Sequence, residues 1–589
     1  MSDGHAHEHG LADYMDKKAV AHVLEQIAAL LELKGENAFR LRAFRSAART
    51  IANHPADLRE ALADGTLAAT KGIGPATLQI VRELVETGRS SLLEELREQV
   101  PPGLIEMLGI SGLGVAKIRQ IHEVLGIDSL AELEAAARDG RLAQLPRFGQ
   151  KTSANILKSI GFLRQASAYR LYHHAAEDAE SLRRALERLP GVVETVVAGE
   201  VRRRMEVVKE LVLVLVAETA PAELFALLAE APGVEEFSGQ DERRVTLRTA
   251  GGTTAQIVVT TPVNAGAVLV QATGSAAHLE QLARQGAGRG FTLHGAALWQ
   301  GSTFVPTPDE TRLYDALGLP WIPPELREGR GEIAAAAAGA LPTLVTREDL
   351  RGFLHCHTGY SDGSNTVEEL ALACRAAGYA YVGITDHSQA AFYAGGLSPA
   401  DLERQLDEID AVNERVEGIR VLKGVEADIL QDGRIDYDER LLDRLDFVIG
   451  SIHNRFHMDR DRDAMTARML AAMDDPHLTI IGHPTGRLLL SRDAYALDLD
   501  AVIAKAAATG VALEINADPH RLDLDWRVLR QARDAGVMIS IGADAHSLAG
   551  LPNMTFGVGI ARKGWLGPAD ILNCRTAEEF VAYAKRRRA

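Results

Sequence analysis

The stretch Gly352-Phe353-Leu354-His355-Cys356-His357-Thr358-Gly359-Tyr360-Ser361-Asp362 joins an apolar strand to three metal-competent side chains. On a strand, positions i and i+2 face the same side, so His355 and His357 can hold one ion while Cys356 faces away. Asp362 lies in the turn that follows. Outward from this segment the same theme recurs: Asp386-His387 after an apolar run, Glu426 in Gly424-Val425-Glu426, and His453 in Ser451-Ile452-His453. His483 in Gly482-His483-Pro484 and Asp544-Ala545-His546 complete the set.

Short apolar segments at 352–355, 381–385, 421–425, 447–451, 479–482, 511–515 and 538–542 alternate with helical stretches, the pattern of a βα repeat. In such barrels functional side chains project from the carboxyl ends of strands. Nearly every donor named above stands at or just after a strand end. A lone histidine is most often a surface residue or a satisfied core residue, but His355, His357, Asp362, His387, Glu426, His453, His483, Asp544 and His546 together supply nitrogen and oxygen for two or three divalent ions with a bridging carboxylate. Closely spaced cations lower the pKa of a bridging water and neutralise a phosphoryl oxygen, so phosphoester hydrolysis is the expected reaction. No Ser-His-Asp arrangement or Walker-type loop competes for the role.

These motifs closely resemble the PHP family of phosphoesterases, which implies a distorted (β/α)7 barrel with a trinuclear site over about 240 residues. By that resemblance His355, His357 and Glu426 serve one part of the cluster, and His387, His453, His483, Asp544 and His546 complete it. His355, His357, Glu426, His453 and Asp544 are the expected catalytic residues. Donor types alone suit manganese, zinc or iron, and the resemblance favours Mn²⁺.

The 589 residues are too many for a single core, and 46% apolar with 25% charged residues describes several globular domains. Three scattered cysteines exclude a disulfide framework and a thiolate zinc site, and fit a reducing cytoplasm. No apolar stretch reaches the roughly 20 residues that span a bilayer, so no membrane partner is expected. The net charge of −17 argues against a polyanionic partner, yet residues 1–170 hold 21 basic and 21 acidic side chains and are neutral. His5, His7 and His9 are read as part of a tail without a role, and Lys585-Arg586-Arg587-Arg588 as a solvated helix end or a phosphate contact.

Residues 16–160 read as helices joined by short glycine turns. Gly72-Ile73-Gly74-Pro75-Ala76 and Gly112-Leu113-Gly114-Val115-Ala116 each form an apolar-Gly-apolar-Gly hairpin leading into a helix. Gly72, Gly74, Gly112 and Gly114 would let backbone approach a DNA phosphate, and the following helix offers unpaired amides, without sequence readout. Leu145-Pro146-Arg147-Phe148-Gly149-Gln150-Lys151 is a degenerate third copy, and Arg40, Arg42 and Arg45 either add phosphate contacts or form a solvated face.

With these hairpins, Lys34–Arg40 and Leu317–Glu332, nearly the whole chain resembles bacterial family X DNA polymerases carrying a carboxyl-terminal PHP domain. The fold class implied is multidomain: an all-α helix-hairpin-helix region, an α+β polymerase-like palm and thumb, and the barrel. The expected divisions are a tail 1–10, a helical DNA-binding domain 11–90, a fingers-like domain 91–170, a palm 171–262, a thumb 263–325, a linker 326–349 and the phosphoesterase 350–589. Relatives with abasic-site lyase activity carry a lysine where this chain has Ile80, so no Schiff-base lyase is expected there.

The family palm needs Gly-Ser, two alternating aspartates and a third on a neighbouring strand. Here the matching positions are Glu200, Glu210 and Val212, and the segment Ala255–Val259 lacks a carboxylate. Lys209 replaces a glycine, so nucleotidyl transfer should be lost or severely weakened. Thr273-Gly274-Ser275 resembles a nucleotide-contacting turn, with Gly274 and Ser275 its remnant, although Ser275 could simply cap a helix. The expected activity is Mn²⁺-dependent 3′-end processing of DNA in repair, as a 3′–5′ exonuclease or 3′-phosphatase. The rivals are an active gap-filling polymerase, a small-metabolite phosphatase and a non-enzymatic DNA-binding scaffold.

Overall fold

The computed structural model describes residues 17–52, 54, 58–87, 90–110, 112–230, 234–249, 254–453 and 461–588. The tail 1–10 with His5, His7 and His9 lies outside them. The chain divides into two compact units, 1–167 and 168–589.

The first unit is helical, as its 3.6-residue apolar periodicity requires. Lys17–Leu33 and Ala38–Ala52 pack their inner faces together, and Pro75–Thr87 and Val115–Leu125 add Val81, Leu84, Ile118 and Ile121 to the same core. Ile80 lies on the buried face of its helix.

In the second unit a five-stranded sheet runs in the order Val192–Val197, Leu211–Ala217, Thr254–Thr260, Arg244–Thr249 and Val234–Asp241. The run Leu211–Ala217 is an interior strand and buried, as its continuous apolar sequence demands. Tyr172–Leu186 covers one face, packing Ala175 and Ala179 against Leu213 and Leu215. Helices Ala265–Thr273, Ala276–Ala287 and Glu310–Ala316 and a three-stranded meander follow. The segment 326–349, expected as a linker, is packed instead: Leu326, Ile333, Ala336 and Leu344 join the preceding apolar cluster, and Val345 joins the barrel core.

The barrel strands are β1 (Gly352–Cys356), β2 (Tyr381–Ile384), β3 in two pieces (Arg420–Lys423 and Glu426–Asp428), β4 (Ile449–Ser451), β5 (Ile480–Ile481), β6 (Ala512–Asn516) and β7 (Ile539–Ala545). All neighbours are parallel, β7 pairs back to β1, and the two pieces of β3 pair with β2 and β4 respectively. The ring of seven therefore closes through β3. The break in β3 falls at Gly424-Val425, where a Cβ on Gly424 would stand 2.5 Å from the Phe447 ring.

The amino-terminal mouth of the barrel is plugged by Ala577–Lys585, whose Phe580 and Tyr583 meet Tyr381, Leu422 and Phe447. Of the terminal run, Lys585 and Arg586 are exposed, as a solvated end requires, whereas Arg587 donates to the carbonyls of Met473 and Leu478 and Arg588 to those of Leu442 and Leu445; Arg586 also reaches the Gly510 carbonyl. These arginines satisfy carbonyls at the helix ends and loops beneath the barrel. Around the barrel side, Glu206 accepts from Trp526 Nε1 at 2.9 Å and Arg527 at 2.6 Å, and Arg562 pairs with Glu325 at 2.7 Å. The palm-like sheet and thumb-like helices are thereby fastened to the barrel.

Candidate metal centre

The nine expected donors meet at the carboxyl ends of the barrel strands. Glu426 is their hub: Oε1 stands 3.1 Å from His453 Nε2, 3.0 Å from His483 Nε2 and 3.3 Å from His355 Nε2, while Oε2 stands 3.0 Å from His387 Nδ1 and 3.6 Å from His357 Nε2. Asp544 Oδ1 lies 3.2 Å from His357 Nε2 and 3.5 Å from His355 Nε2. Asp362 reaches His387 at 3.6 Å and His546 at 3.4 Å. The ring of His357 is stacked between those of His387 and His546, with centroids 4.3 and 4.2 Å away. Three overlapping donor groups result: His355, His357, Glu426; His387, Glu426, His453; and His357, Asp362, His387, His546. Among the described residues no other place brings three such donors within ligand distance of one another.

The fit to cations rests on orientation. Among the described residues, His355 Nε2, His357 Nδ1, His387 Nδ1, His483 Nδ1 and Glu426 Oε2 are buried and have no hydrogen-bond partner. His387 Nδ1 and Glu426 Oε2 are 3.0 Å apart and still not aligned to bond. Atoms that crowd together unbonded, as His355 Nε2, His387 Nδ1 and Glu426 Oε2 do, converge on shared points, as ligands do; left unmatched, each would carry a desolvation cost of about 1–3 kcal/mol.

Two ligands reach the centre by a route that simple strand alternation does not describe. Pairing of β1 with β7 slips between Leu354 and Cys356, which face Gly542 and Ala545, so His355 and Asp544 sit in a bulge. His355, His483 and Asp544 hold φ of 59°, 25° and 51°, left-handed values that side chains seldom adopt and that gather at functional sites. Cys356 does face away, with Sγ 3.3 Å from the Gly383 carbonyl.

Charge is balanced tightly. Burial would push His387 down, but Glu426 and Asp362 raise it to about 10; against the same burial, Glu426 and Asp428 raise His453 to about 9. Burial would push the carboxyls of Glu426 and Asp544 up, and the surrounding imidazoles hold both well below the usual range. The site stabilises positive charge, whether protons or metal ions.

Four residues that sequence reasoning missed support this centre. Glu514 on β6 accepts from His355 Nδ1 at 2.5 Å and from the His483 amide at 2.7 Å, turning His355 Nε2 inward. It reaches because residue 542 is glycine: a Cβ there would stand 1.8 Å from Glu514 Oε1. Asp428 does the same for His453 Nδ1 at 2.7 Å, and Asn516 Nδ2 donates to Asp544 at 3.0 Å. The signal for Glu514 was present: a carboxylate inside the apolar strand Ala512-Leu513-Glu514-Ile515 is seldom buried unless it is paired. Arg521, in the loop after β6, had no such signal. It lines a cavity of roughly 360 Å³ over the donors, bounded among the described residues by Asp362, His387, Ala394, Ile452, His453, His483, Arg492, Arg521, Asp544 and His546.

In the helical unit the three hairpins share one geometry. Gly72 and Gly112 have φ of 99° and 80°, and Arg147, the matching residue of the degenerate copy, has φ 69°. Ile73, Leu113 and Phe148 each donate to the carbonyl three residues back, and helices begin at Pro75, Val115 and Gln150 after Gly74, Gly114 and Gly149. Arg45 pairs with Glu32, Arg40 lies 3.7 Å from Glu36, and Arg42 Nε bonds the Ala38 carbonyl, so this basic run has local partners.

In the palm-like sheet, Val212 lies directly across from Gln256, and a Cβ on Gly199 would meet Val212 at 3.0 Å. Glu200 accepts from the Lys209 amide at 2.6 Å, and Glu210 is exposed. Arg202 grips Glu310, which also binds the fully buried Arg327, and Arg203 bonds Glu328 and the Thr273 carbonyl. Ser275 Oγ accepts from the His278 amide at 3.1 Å as a helix cap, and a side chain on Gly274 would strike His278.

Comparison with known proteins accords with this architecture. The chain matches the helix-hairpin-helix domain over residues 15–90, the SAM-like helix-hairpin-helix tandem over 104–161, the DNA polymerase beta thumb over 268–328 and the PHP domain over 354–518. It is 35% identical to the DNA polymerase/3′-5′ exonuclease PolX of Bacillus subtilis (strain 168), over 97% of this chain and 100% of that protein. The barrel portion is 27% identical to a "Probable phosphatase" of Syntrophotalea carbinolica, over 39% of this chain and 94% of that protein. A "Probable phosphatase" of Caldicellulosiruptor bescii matches at 29% with the same coverage. No described helix is long and apolar enough to cross a membrane. With matching domains in matching order along almost its whole length, the chain belongs to the bacterial PolX family of DNA polymerase/3′-5′ exonucleases that carry a PHP domain.

Proposed function

We propose that this protein is a metal-dependent phosphoesterase that trims DNA from the 3′ end in repair, built on a polymerase scaffold that no longer transfers nucleotides. The observation that carries the reading is Glu426, a buried carboxylate within 3.6 Å of five imidazoles, two of which, His355 and His387, turn toward it a nitrogen with no hydrogen-bond partner among the described residues. The nine donors are the proposed ligands. Two or three divalent ions, Mn²⁺ favoured over Zn²⁺ or Fe²⁺, would supply Lewis acidity and a water of lowered pKa. His355, His357, Glu426, His453 and Asp544 would hold those ions beside the cavity, while Glu514, Asp428 and Asn516 fix their orientation. In the reaction a water oxygen bonds to phosphorus, the bond from phosphorus to the O3′ of the penultimate nucleotide breaks, and that oxygen takes a proton. The products are a 5′-nucleotide and a chain shortened by one.

The hairpin glycines Gly72, Gly74, Gly112 and Gly114 are the proposed DNA phosphate contacts, and the reading places the protein in the cytoplasm. The proposed loss of polymerase activity is supported by the palm: Val212 stands where the second carboxylate is expected, the paired segment Ala255–Val259 has none, Glu210 is the one remaining donor of the three positions, and Glu310 and Glu328 are already neutralised by arginines. The second reading, a gap-filling polymerase, is favoured by the printed name of the Bacillus relative. A single experiment separates them. A 5′-labelled gapped duplex incubated with Mn²⁺ should shorten from its 3′ end with or without deoxynucleotides, and the His355→Ala/Asp544→Asn double variant should be inert. Full activity in the double variant removes the assignment of the centre, and template-directed extension removes the reading of the palm.

A further inference from the structure

The cavity above the donor cluster has one wall that the ligands do not account for. Arg521 and Arg492 both line it, on the loops that follow β6 and β5. Arg521 is 18% exposed at its side chain, and its Nε is 3.7 Å from Asp544 Oδ2, the carboxylate oxygen turned away from the imidazoles. Its Nη1 is buried and, among the described residues, has no hydrogen-bond partner. A buried guanidinium nitrogen without an acceptor is costly unless something outside the chain supplies one. Arg492 bonds the Gly486 carbonyl through Nε and Nη2, at 3.1 and 2.7 Å, which fixes its guanidinium in place at the same cavity. The two positive charges also work against each other: burial first and then Arg521 lower the pKa of Arg492. Two mutually repelling guanidiniums are thus held beside a site built to take cations. That juxtaposition is satisfied by an anion whose oxygens reach both walls at once.

We propose that Arg521, with Arg492 beside it, is a substrate-binding clamp that takes the non-bridging oxygens of the DNA phosphodiester presented to the metal centre. The clamp rests on the phosphoesterase reading and deepens it by naming residues outside the ligand set that touch substrate. A planar, forked donor suits this role because it meets two phosphate oxygens together, which a lysine does not. The competing structural role is that Arg521 serves only to neutralise Asp544. The two differ in what changes on substitution: a clamp loses phosphate affinity at full metal loading, whereas a group that serves only Asp544 changes metal affinity and leaves phosphate affinity as it was.

The test uses the full chain loaded with Mn²⁺ and inorganic phosphate as the probe, with binding measured by calorimetry and metal content measured in the same samples. Phosphate should bind the unaltered protein and inhibit DNA shortening competitively. Arg521→Met should weaken phosphate binding about ten- to hundredfold, the loss typical of a charge-assisted hydrogen bond, with metal content unchanged and with KM for DNA raised. Arg521→Lys should recover part of the phosphate affinity, and Arg492→Met should cause a smaller loss because its guanidinium is already bonded to the Gly486 carbonyl. Phosphate affinity within twofold of the unaltered protein in metal-loaded Arg521→Met would overturn the clamp. So would loss of metal with unchanged phosphate affinity in the molecules that remain loaded. If Arg521→Met fails to fold, Arg521→Lys decides: unchanged phosphate affinity in it, together with unchanged affinity in Arg492→Met, removes the proposal. Phosphate binding that depends on Arg521 in a protein that does not shorten DNA would instead remove the exonuclease reading and leave the clamp standing.

Discussion

Replacing Glu514 by glutamine tests how far the centre depends on a residue that is not among its ligands. The carboxylate accepts from His355 Nδ1 through one oxygen and from the His483 amide through the other. An amide has one oxygen and one NH₂, so Glu514→Gln can satisfy only one of these donors and turns an N–H toward the second. The orphaned donor is fully buried, which puts the cost at about 1–3 kcal/mol of stability. For a barrel of this size that is a fall in melting temperature of about 2–12 °C. Loss of the orienting partner should also weaken metal binding about ten- to hundredfold, or about 1.4–2.7 kcal/mol. Competition with a calibrated chelator measures the second quantity and thermal melting of the metal-free protein the first. Glu514→Gln protein that holds metal within twofold of the unaltered protein would refute the reasoning, and would mean that the left-handed backbone at His355 is enough to aim its ring.

Other expectations follow from particular contacts. Burial alone would raise the Glu310 carboxyl, but Arg327 and Arg202 hold it down to about 2 from 4.5; its contribution, about 3 kcal/mol, is therefore complete above pH 4.5 and lost as pH falls toward 2, and acid unfolding of Glu310→Gln should lack that component. Gly72→Val and Gly112→Val place a branched side chain at φ of 99° and 80°, costing about 1–2 kcal/mol each, and should weaken DNA binding in titrations without altering metal content. Arg587→Ala with Arg588→Ala should lower barrel stability by about 2–4 kcal/mol while leaving DNA affinity unchanged, since both side chains are bound to carbonyls; the reverse pattern would restore the phosphate-contact reading of this tail.

Much of the barrel could be read in advance because its physics is local. Each strand is a short apolar run between helices, and nearly every proposed ligand stands at or just after a strand end, so His355 through His546 are visible one by one. The proposed loss of nucleotidyl transfer rests on composition instead: Val212 is apolar where a cation would need oxygen. The left-handed backbone of His355 and Asp544 is not legible, because a β-bulge depends on how β1 and β7 meet across about 190 residues rather than on either segment. Arg147 shows the same limit on a smaller scale. Glycine in two hairpins announces the positive φ, and the third copy adopts it with a residue that gives no such notice. Arg521 and the terminal arginines read as ordinary charge until the fold shows what they face.

The most direct test of the central claim remains a 5′-labelled gapped duplex in Mn²⁺, its products resolved to single nucleotides, with and without deoxynucleotides. Stepwise loss from the 3′ end, indifferent to added nucleotides and absent in the His355→Ala/Asp544→Asn variant, is the expected result. Template-copied extension, or shortening that survives in that variant, would contradict it.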